Sequence, residues 1–518
     1  MNGLAPEVMS VRPFPGWRRI KQGKSGFMRR FVAVHPLVMA SSLLLHLIGH
    51  HPDYTLLDGL LAGFLSLFAI GSVVRHVSRQ GEALPILSWA FLILYVYFGL
   101  PVFFPGMDSE TVAFQDLKDS GAVTLALLAI VVMGGCMLAG YAGGRVFGGR
   151  MADTRLLRSA GGWSRAGIFP GVLFIYALMS VSISYLIYRY IAHPPWYFFL
   201  VKVFFSPVLC QLILLYEMKR QGGKTLRLAY ISFLALSIIA ALITSRLAYM
   251  IMPLVIHIVV AFGRHERINP LLLAAMILGM VLVNPLKLQY RAAAGFFDQG
   301  GEIEHSLSRS IDLWGMVFAE KWMSGGQSSP WLESLTGLSS RMNLLSTVAE
   351  TFYKVPDLLD HEYGSTWMAV PYAFVPRLIW REKPDLTAIT NDYYCIKFGQ
   401  LSRSETDFIS LSFPLATEGY WNMGWLGVVF AGGLVGFWFG LLGRWFSIPG
   451  LFSFAFCYVC LFNVKPGTGP LVDVFGSVPQ KFLAVFVVIY LLTKVSNLLR
   501  RLSLGGGQGY RKGRGGIV

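Results

Sequence analysis

Five arginines in the second half of the chain stand beside or between apolar segments, where they could bind a polyanion. They are Arg246, Arg291, Arg341, Arg377 and Arg381. Guanidinium groups are permanently charged and planar, and they bind phosphate oxygens through paired hydrogen bonds. Several of them at one membrane face would hold a lipid-linked diphosphate and stabilise the charge on a departing pyrophosphate without a metal ion. The alternative for each arginine is a salt bridge with an acidic loop residue, or a position at the lipid interface.

A second group of candidate residues is polar and aromatic. The stretch Glu418–Gly424 leads into an apolar segment. A positioned carboxylate at Glu418 could orient or deprotonate a hydroxyl group. Tyr420 could stack on a sugar, or lie with Trp421 in the aromatic belt of a membrane interface. His361 is a further candidate for acid–base chemistry or substrate binding.

The elements that must position these residues are membrane helices. Of 518 residues, 54% are hydrophobic and only 14% are charged, whereas soluble domains carry about 25% charged residues. The apolar residues occur in blocks of about twenty, which as helices match the thickness of a bilayer. We therefore predict an all-α polytopic membrane protein with about twelve transmembrane helices, at 32–50, 56–74, 84–104, 121–144, 168–188, 196–216, 228–245, 247–263, 268–288, 425–443, 448–464 and 481–499.

The distribution of charge predicts the orientation of these helices. Arginine and lysine are concentrated in every second loop, in the N-terminal segment 1–31 and in the tail 500–518. Because cytoplasmic loops are enriched in basic residues, both termini are expected in the cytoplasm. Residues 289–424 hold 10 Lys/Arg and 16 Asp/Glu, whereas the rest of the chain holds 34 and 12. This long acidic segment is therefore expected to form a partly helical cap outside the cytoplasm, and the net charge of +16 does not indicate nucleic-acid binding.

Other motifs are weaker. His46 and His50 are one helical turn apart, but histidines at a membrane interface more often have no metal. Asp108 and Glu110 form an acidic pair in an early outer loop. The sequence contains no phosphate-binding glycine loop before a helix, so no nucleotide is expected. We predict no metal and no cofactor.

Three segments together resemble the O-antigen and exopolysaccharide repeat-unit polymerases of the Wzy type. They are the Ser-Arg turn at Arg246, the run from Arg341 through Tyr363-Gly364 to the segment 375–384, and the stretch Glu418–Gly424. The resemblance covers roughly residues 240–430, together with the general layout of spans and a long late periplasmic loop. The paired arginine-x10-glycine loops of some members have no match in this chain.

The resemblance implies a metal-independent glycosyltransferase with GT-C-like architecture in a bacterial inner membrane. A growing glycan on undecaprenyl diphosphate would be transferred to a second lipid-linked repeat unit at the periplasmic face. Arg246, Arg291, Arg341 and Arg377 would hold the diphosphates, with Glu418 as a further catalytic residue and Arg381, Tyr420 and His361 as substrate-binding residues. The implied partners are the undecaprenyl-diphosphate-linked oligosaccharide, membrane lipid, a flippase and a chain-length regulator.

Other functions remain open on the sequence. An O-antigen ligase would share the donor and the arginines and differ only in its acceptor. A metal-dependent glycosyltransferase would depend on Asp108 and Glu110 instead. A twelve-helix secondary transporter would be expected to show repeat symmetry and polar midplane residues, whereas here the long loop follows the ninth predicted span. A scaffold or receptor without chemistry would leave the arginines without a role.

Overall fold

The described residues of the computed structural model form α-helices and turns, and contain no strand. The structure describes residues 26–50, 53–78, 83–103, 116–118, 120–151, 167–190, 204–244, 248–268, 270–271, 273–274, 278–279, 286–293, 307–323, 343–375, 379–384, 386, 388–404, 406, 411–463 and 469–508. The helices within them are α1 Gly26–Gly49, α2 Leu56–Ser78, α3 Ile86–Leu94, α4 Ala122–Met151, α5 Pro170–Tyr190, α6 Pro207–Gln221, α7 Lys224–Thr244, α8 Ala248–Gly263, α9 Leu286–Ala293, α10 Leu307–Met323, α11 Leu345–Lys354, α12 Ala369–Phe374, α13 Asn391–Lys397, α14 Leu415–Trp445, α15 Leu451–Asn463, α16 Leu471–Phe475 and α17 Val478–Gln508.

The chain is an α-helical protein with the helices of a membrane protein. Within the described residues, six helices are long and apolar enough to cross a bilayer: Leu56–Ser78, Ile86–Phe103, Ala122–Gly149, Lys224–Ala241, Leu415–Trp445 and Leu471–Leu502. The second of these continues α3 through a π-helical stretch and a short 3-10 turn. Four shorter apolar helices lie at His35–Gly49, Pro170–Ser184, Ile251–Gly263 and Leu451–Phe462. The predicted spans 196–216 and 268–288 fall partly outside the described residues.

Helices α4 and α14 pack against each other along two rows of glycine. Met133, Met137 and Tyr141 of α4 lie against Gly432, Gly436 and Gly440 of α14, so the residue numbers rise together and the helices are parallel. A Cβ atom on Gly436 would overlap the carbonyl oxygen of Met137 and lie 2.6 Å from its Cα. Carbon atoms in contact are normally about 3.5–4.0 Å apart. The glycines therefore allow a backbone-to-backbone approach, as small residues do in membrane helix pairs.

Helix α14 is broken near its start. Met423 and Gly424 have non-helical backbone angles, and Gly424 has a φ of +58°. Gly419 and Gly427 would be about 12 Å apart along the axis of a continuous helix. Instead, a Cβ atom on Gly419 would lie 2.9 Å from the carbonyl carbon of Gly427. Residues 415–422 therefore form a short helix folded back against the main span, which begins where a span was predicted at 425.

Contacts between the basic connections place them at one end of the helix bundle. The guanidinium groups of Arg75 and Arg145 lie 6.0 and 5.9 Å from the Tyr141 ring. Arg264 donates to the carbonyl of Leu215 at 3.1 Å. In the same region Lys219 pairs with Glu266 at 2.9 Å, Arg500 donates to the carbonyl of Gly167 at 2.9 Å, and the backbone N–H of Ala83 donates to Gly263 at 3.0 Å.

The acidic segment packs on the opposite end of the bundle. Its helix α11 contacts α4 and α14. The backbone N–H of Leu344, just before α11, donates to the carbonyl of Tyr97 in the π-helical stretch at 3.2 Å. The described part of residues 343–404, which includes α11, α12 and α13, is called the cap below. The candidate site lies where the cap meets the break in α14.

Candidate functional site

Residues 360–364 of the cap are held against the break in α14 by backbone hydrogen bonds. Because the helix ends at the break, the carbonyl oxygens of Trp421 and Asn422 lack their usual partners four residues on. The N–H groups of Glu362 and Tyr363 fill these places, each at 3.0 Å. The N–H of Gly364 donates to Oδ1 of Asn422 at 2.9 Å. The two segments, far apart in sequence, are thereby fixed to each other.

Glu418 forms hydrogen bonds that connect three segments of the chain next to this junction. Its side chain is fully buried. Oε1 accepts from the hydroxyl of Thr366 at 3.0 Å, and Oε2 accepts from the backbone N–H of Leu471 at 2.6 Å. Asn422 donates to the same Thr366 hydroxyl at 2.8 Å and to the backbone carbonyl of Glu418 at 2.7 Å. Since both carboxylate oxygens are engaged inside the protein, this geometry gives Glu418 a positioning role.

Trp421 lies in the core of the cap and is only 1% exposed. Its indole N–H donates to the carbonyl of Asp360 at 3.2 Å, and its ring stacks on Tyr393 with ring centroids 5.5 Å apart. It is therefore neither an interfacial residue nor accessible to a sugar. Tyr393 in turn donates to Oε1 of Glu362 at 2.7 Å. Burial and the Glu362 carboxylate raise the pKa of Tyr393 to about 12, so this phenol keeps its proton and its hydrogen bond at neutral pH.

His361 and Tyr420 lie together at the surface of the junction. Nδ1 of His361 is 3.1 Å from the carbonyl oxygen of Trp421. A carbonyl can only accept, so Nδ1 carries the proton and Nε2 of the neutral ring is an acceptor. Among the described residues, Nε2 has no hydrogen-bond partner. The Tyr420 ring packs on Phe352 at 3.8 Å and meets the imidazole edge-on at 6.0 Å. This arrangement offers a base beside aromatic surface.

The segment that carries Arg377 and Arg381 starts from a fixed point next to α17. The carbonyl of Ala373, at the end of α12, accepts from the side chains of Gln480 at 2.7 Å and Lys383 at 3.3 Å. Lys383 also donates to the carbonyl of Val375 at 3.0 Å. Arg381 lies in a turn with its side chain exposed. Its position at the surface of the cap leaves it accessible to a ligand.

The predicted ring of arginines lies largely outside the described residues. Arg246, Arg341 and Arg377 are all outside them, and for Arg291 only the backbone, within α9, is described. Helix α9 packs on α10, where Tyr290 stacks on Trp314 at 4.4 Å, and α10 contacts α7. Residues 245–247 connect α7 to α8. Helix α9, which carries Arg291, therefore contacts α10, and α10 contacts α7. Arg246 follows α7 in the sequence.

An apolar cavity of about 170 Å³ lies between α5, α6, α7 and α8. Ala240 and Met252, which line it, lie one helical turn from the end of α7 and from the start of α8, respectively. Three polar residues line it, Ser184, Gln211 and Ser237, and each donates a hydrogen bond to a backbone carbonyl. An apolar cavity of roughly 150 Å³ holds a benzene-sized group. This cavity would hold a short length of hydrocarbon.

Sequence reasoning missed the residues that assemble the junction, Thr366 and Asn422. Asn422 is four residues after Glu418, and that spacing on a helix places both side chains on one face. No spacing or motif in the sequence distinguishes Thr366 as a site residue. The described site can therefore position a hydroxyl-bearing ligand beside an unpaired imidazole nitrogen at the end of the bundle opposite the basic connections.

Comparison with protein-family models, curated proteins and solved structures finds no match to this chain.

Proposed function

We propose that the protein is a polysaccharide polymerase that transfers a growing glycan from undecaprenyl diphosphate to a lipid-linked repeat unit. The observation that carries this proposal is the junction itself. Two segments on which the resemblance to Wzy-type polymerases rests, 363–364 and 418–424, are bonded to each other there. A third, 375–384, starts from a tie to α17 at the same end of the bundle.

The orientation of the proposed enzyme follows from its charges. The end that gathers Arg75, Arg145, Arg264 and Arg500 is cytoplasmic by the positive-inside rule, together with both chain termini. The cap and the junction then face the periplasm of a bacterial inner membrane. The parallel packing of α4 and α14 agrees with the predicted order of spans, in which the fourth and the tenth should run in the same direction.

The cavity supports a lipid-linked donor. A polyprenyl chain needs an apolar surface, and the cavity provides one in the half of the bundle beside the cap. The last turn of α7 and the first turn of α8 adjoin this cavity. Arg246 falls between these two helices in the sequence, so it would be near a diphosphate whose lipid tail occupied the cavity. Arg291, Arg341 and Arg377 would complete a cationic site, with Arg381 at the exposed surface of the cap.

The proposed reaction is a displacement at the anomeric carbon of the donor sugar. The acceptor hydroxyl oxygen forms a bond to that carbon, and the bond from the carbon to the diphosphate oxygen breaks. The electron pair leaves with undecaprenyl diphosphate, whose charge the arginines stabilise. The hydroxyl proton passes to Nε2 of His361, which accepts because Nδ1 already donates to Trp421. Glu418 holds the segments in place and does not exchange protons.

The test is a gel of surface polysaccharide from cells that lack the protein, complemented with wild type or with single alanine variants at Arg246, Arg291, Arg341 and Arg377. We expect single repeat units on the acceptor in the deletion. At least two arginine variants should lose about a hundredfold or more of the polymer, as loss of a charge-stabilising donor does in other enzymes.

Arg403→Ala is the matched control, because Arg403 is an exposed arginine of the same acidic segment. It should make normal polymer at the same membrane level. Normal polymer in all four arginine variants would contradict the cationic site. Long polymer that accumulates on the lipid carrier in the deletion would instead identify an O-antigen ligase. A requirement for Asp108 and Glu110 would favour a metal-dependent glycosyltransferase.

A further inference from the structure

Tyr363 has an unusual combination of backbone conformation and exposure. Its φ is +47°, in the left-handed region, although it is not a glycine. Its side chain is 78% exposed, so burial in the core does not explain the choice of a large aromatic residue. A bulky residue rarely adopts this conformation, because its Cβ crowds the backbone. Such positions occur most often where a site imposes them.

The hydrogen bonds at the junction explain the conformation but not the side chain. The N–H groups of Glu362, Tyr363 and Gly364 all point toward residues 421–422. Successive N–H groups can converge in this way when one residue is left-handed. Glycine or asparagine would meet the same requirement at a lower conformational cost. The local fold therefore gives no reason for a tyrosine ring at this position.

The ring of Tyr363 lies beside the imidazole of His361, whose Nε2 has no partner among the described residues. The Tyr363 and His361 rings meet edge-on at 6.1 Å, and the Tyr420 ring lies on the other side of the imidazole at 6.0 Å. The nearby Glu362 carboxylate is engaged by Tyr393 and Ser365. The surface thus combines exposed aromatic rings with a hydrogen-bond acceptor, Nε2 of His361, that has no partner among the described residues.

The chemistry of this surface suits a sugar ring better than a lipid tail. A pyranose presents polarised C–H groups on one face, which are attracted to the negative face of an aromatic ring. Its hydroxyl groups project from the edge, where one can donate to an imidazole nitrogen. An acyl chain would leave Nε2 of His361 without a partner. A sugar ligand also agrees with the proposed role of His361, which accepts a proton from a sugar hydroxyl.

We propose that Tyr363 is a stacking platform for a sugar ring of the acceptor glycan, which it holds with a hydroxyl directed at His361. The platform would bind the acceptor repeat unit and leave the donor to the arginines and the cavity. This inference rests on the proposed polymerase function. It assigns the acceptor subsite to the junction between the cap and the break in α14.

The test compares Tyr363→Phe, which keeps the ring, with Tyr363→Gly, which removes the ring and relieves the left-handed backbone. Leu358→Ala is the control, because Leu358 is another exposed apolar residue of the cap. Each purified variant is titrated with oligosaccharide repeat units released from the lipid carrier by mild acid, and binding is followed by saturation-transfer NMR. Thermal unfolding in detergent and polysaccharide chain length in complemented cells are measured in parallel.

We expect Tyr363→Gly to unfold at or above the wild-type temperature while its affinity for the oligosaccharide falls about tenfold, the loss of one aromatic contact. Chain length should shorten in the same variant, whereas Tyr363→Phe and Leu358→Ala should match wild type. Wild-type affinity in Tyr363→Gly would overturn the platform, and so would an equal loss in Tyr363→Phe or no binding to the wild-type protein.

Failure of the inference is distinguishable from failure of the proposed function. If the deletion leaves the polysaccharide unchanged, the polymerase proposal fails, and the binding titration still decides whether Tyr363 contacts a glycan. If the deletion abolishes polymer but Tyr363→Gly restores it with wild-type chain length and affinity, the polymerase proposal stands and the platform is wrong.

Discussion

Replacing Gly436 with leucine is expected to prevent correct assembly of the protein, whereas the same change at Gly433 should be tolerated. Gly433 lies one helical turn before Gly436, but its Cβ position faces open space, whereas that of Gly436 faces α4. A side chain on Gly436 would meet the backbone of Met137, and helix backbones cannot move aside as flexible side chains can. A side chain on Gly433 would meet nothing within 4 Å. The alanine variant of Gly436 should already lower the free energy of unfolding by about 1–3 kcal/mol, as overpacking does in cores.

The measurement is the yield of monodisperse protein from membranes, together with thermal unfolding in detergent. Gly433→Ala should behave as wild type or slightly better, because alanine favours a helix more than glycine does. Equal behaviour of the Gly436 and Gly433 variants would contradict the parallel packing of α4 and α14. Because α14 carries residues 418–424, a loss of this packing should also abolish any activity of the site.

Glu418→Gln is expected to retain most activity, whereas Glu418→Ala should lose it through destabilisation. Glutamine keeps one carbonyl oxygen for the N–H of Leu471, and its amide can donate to the Thr366 hydroxyl, which can accept. Alanine leaves the buried N–H of Leu471 without a partner, at a cost of about 1–3 kcal/mol. A general base behaves differently, since glutamine cannot take a proton and the rate would fall by about 10²–10⁴.

The comparison therefore separates positioning from proton transfer. Polymer synthesis and thermal unfolding are measured for both variants, with Glu382→Gln as a control at an exposed carboxylate of the cap. An inactive Glu418→Gln variant with wild-type unfolding would show that Glu418 takes part in the chemistry. The positioning role would then be wrong, and the proton acceptor would have to be reassigned from His361.

Most of the helices were predictable because a bilayer imposes a simple length and composition on them. The blocks predicted at 56–74 and 228–245 correspond to Leu56–Ser78 and Lys224–Thr244. The span predicted at 425–443 was right for the main part of α14, but the short helix 415–422 before it was not foreseen. That helix is recognisable only from the break at Met423–Gly424, where the backbone reverses against itself.

The candidate site was predictable in part. Glu418, Tyr420 and His361 were selected for their chemistry, and the structure brings them to one junction. The contacts that join them run through backbone groups of residues 362–364 and 421–422, and such contacts leave no side-chain pattern to detect. The burial of Trp421 also depends on tertiary packing. The spacing of Gly432, Gly436 and Gly440, by contrast, is a known helix-packing signal, but no prediction was made from it.

The proposed function is tested most directly with purified protein in proteoliposomes. The substrate is the undecaprenyl-diphosphate-linked repeat unit extracted from the deletion cells, and EDTA is present throughout. The polymerase proposal predicts a ladder of products with two or more repeats and an equivalent release of undecaprenyl diphosphate. Recovery of single repeat units alone, from protein that unfolds as the wild type does, would contradict it, as would transfer only to an acceptor other than the repeat unit.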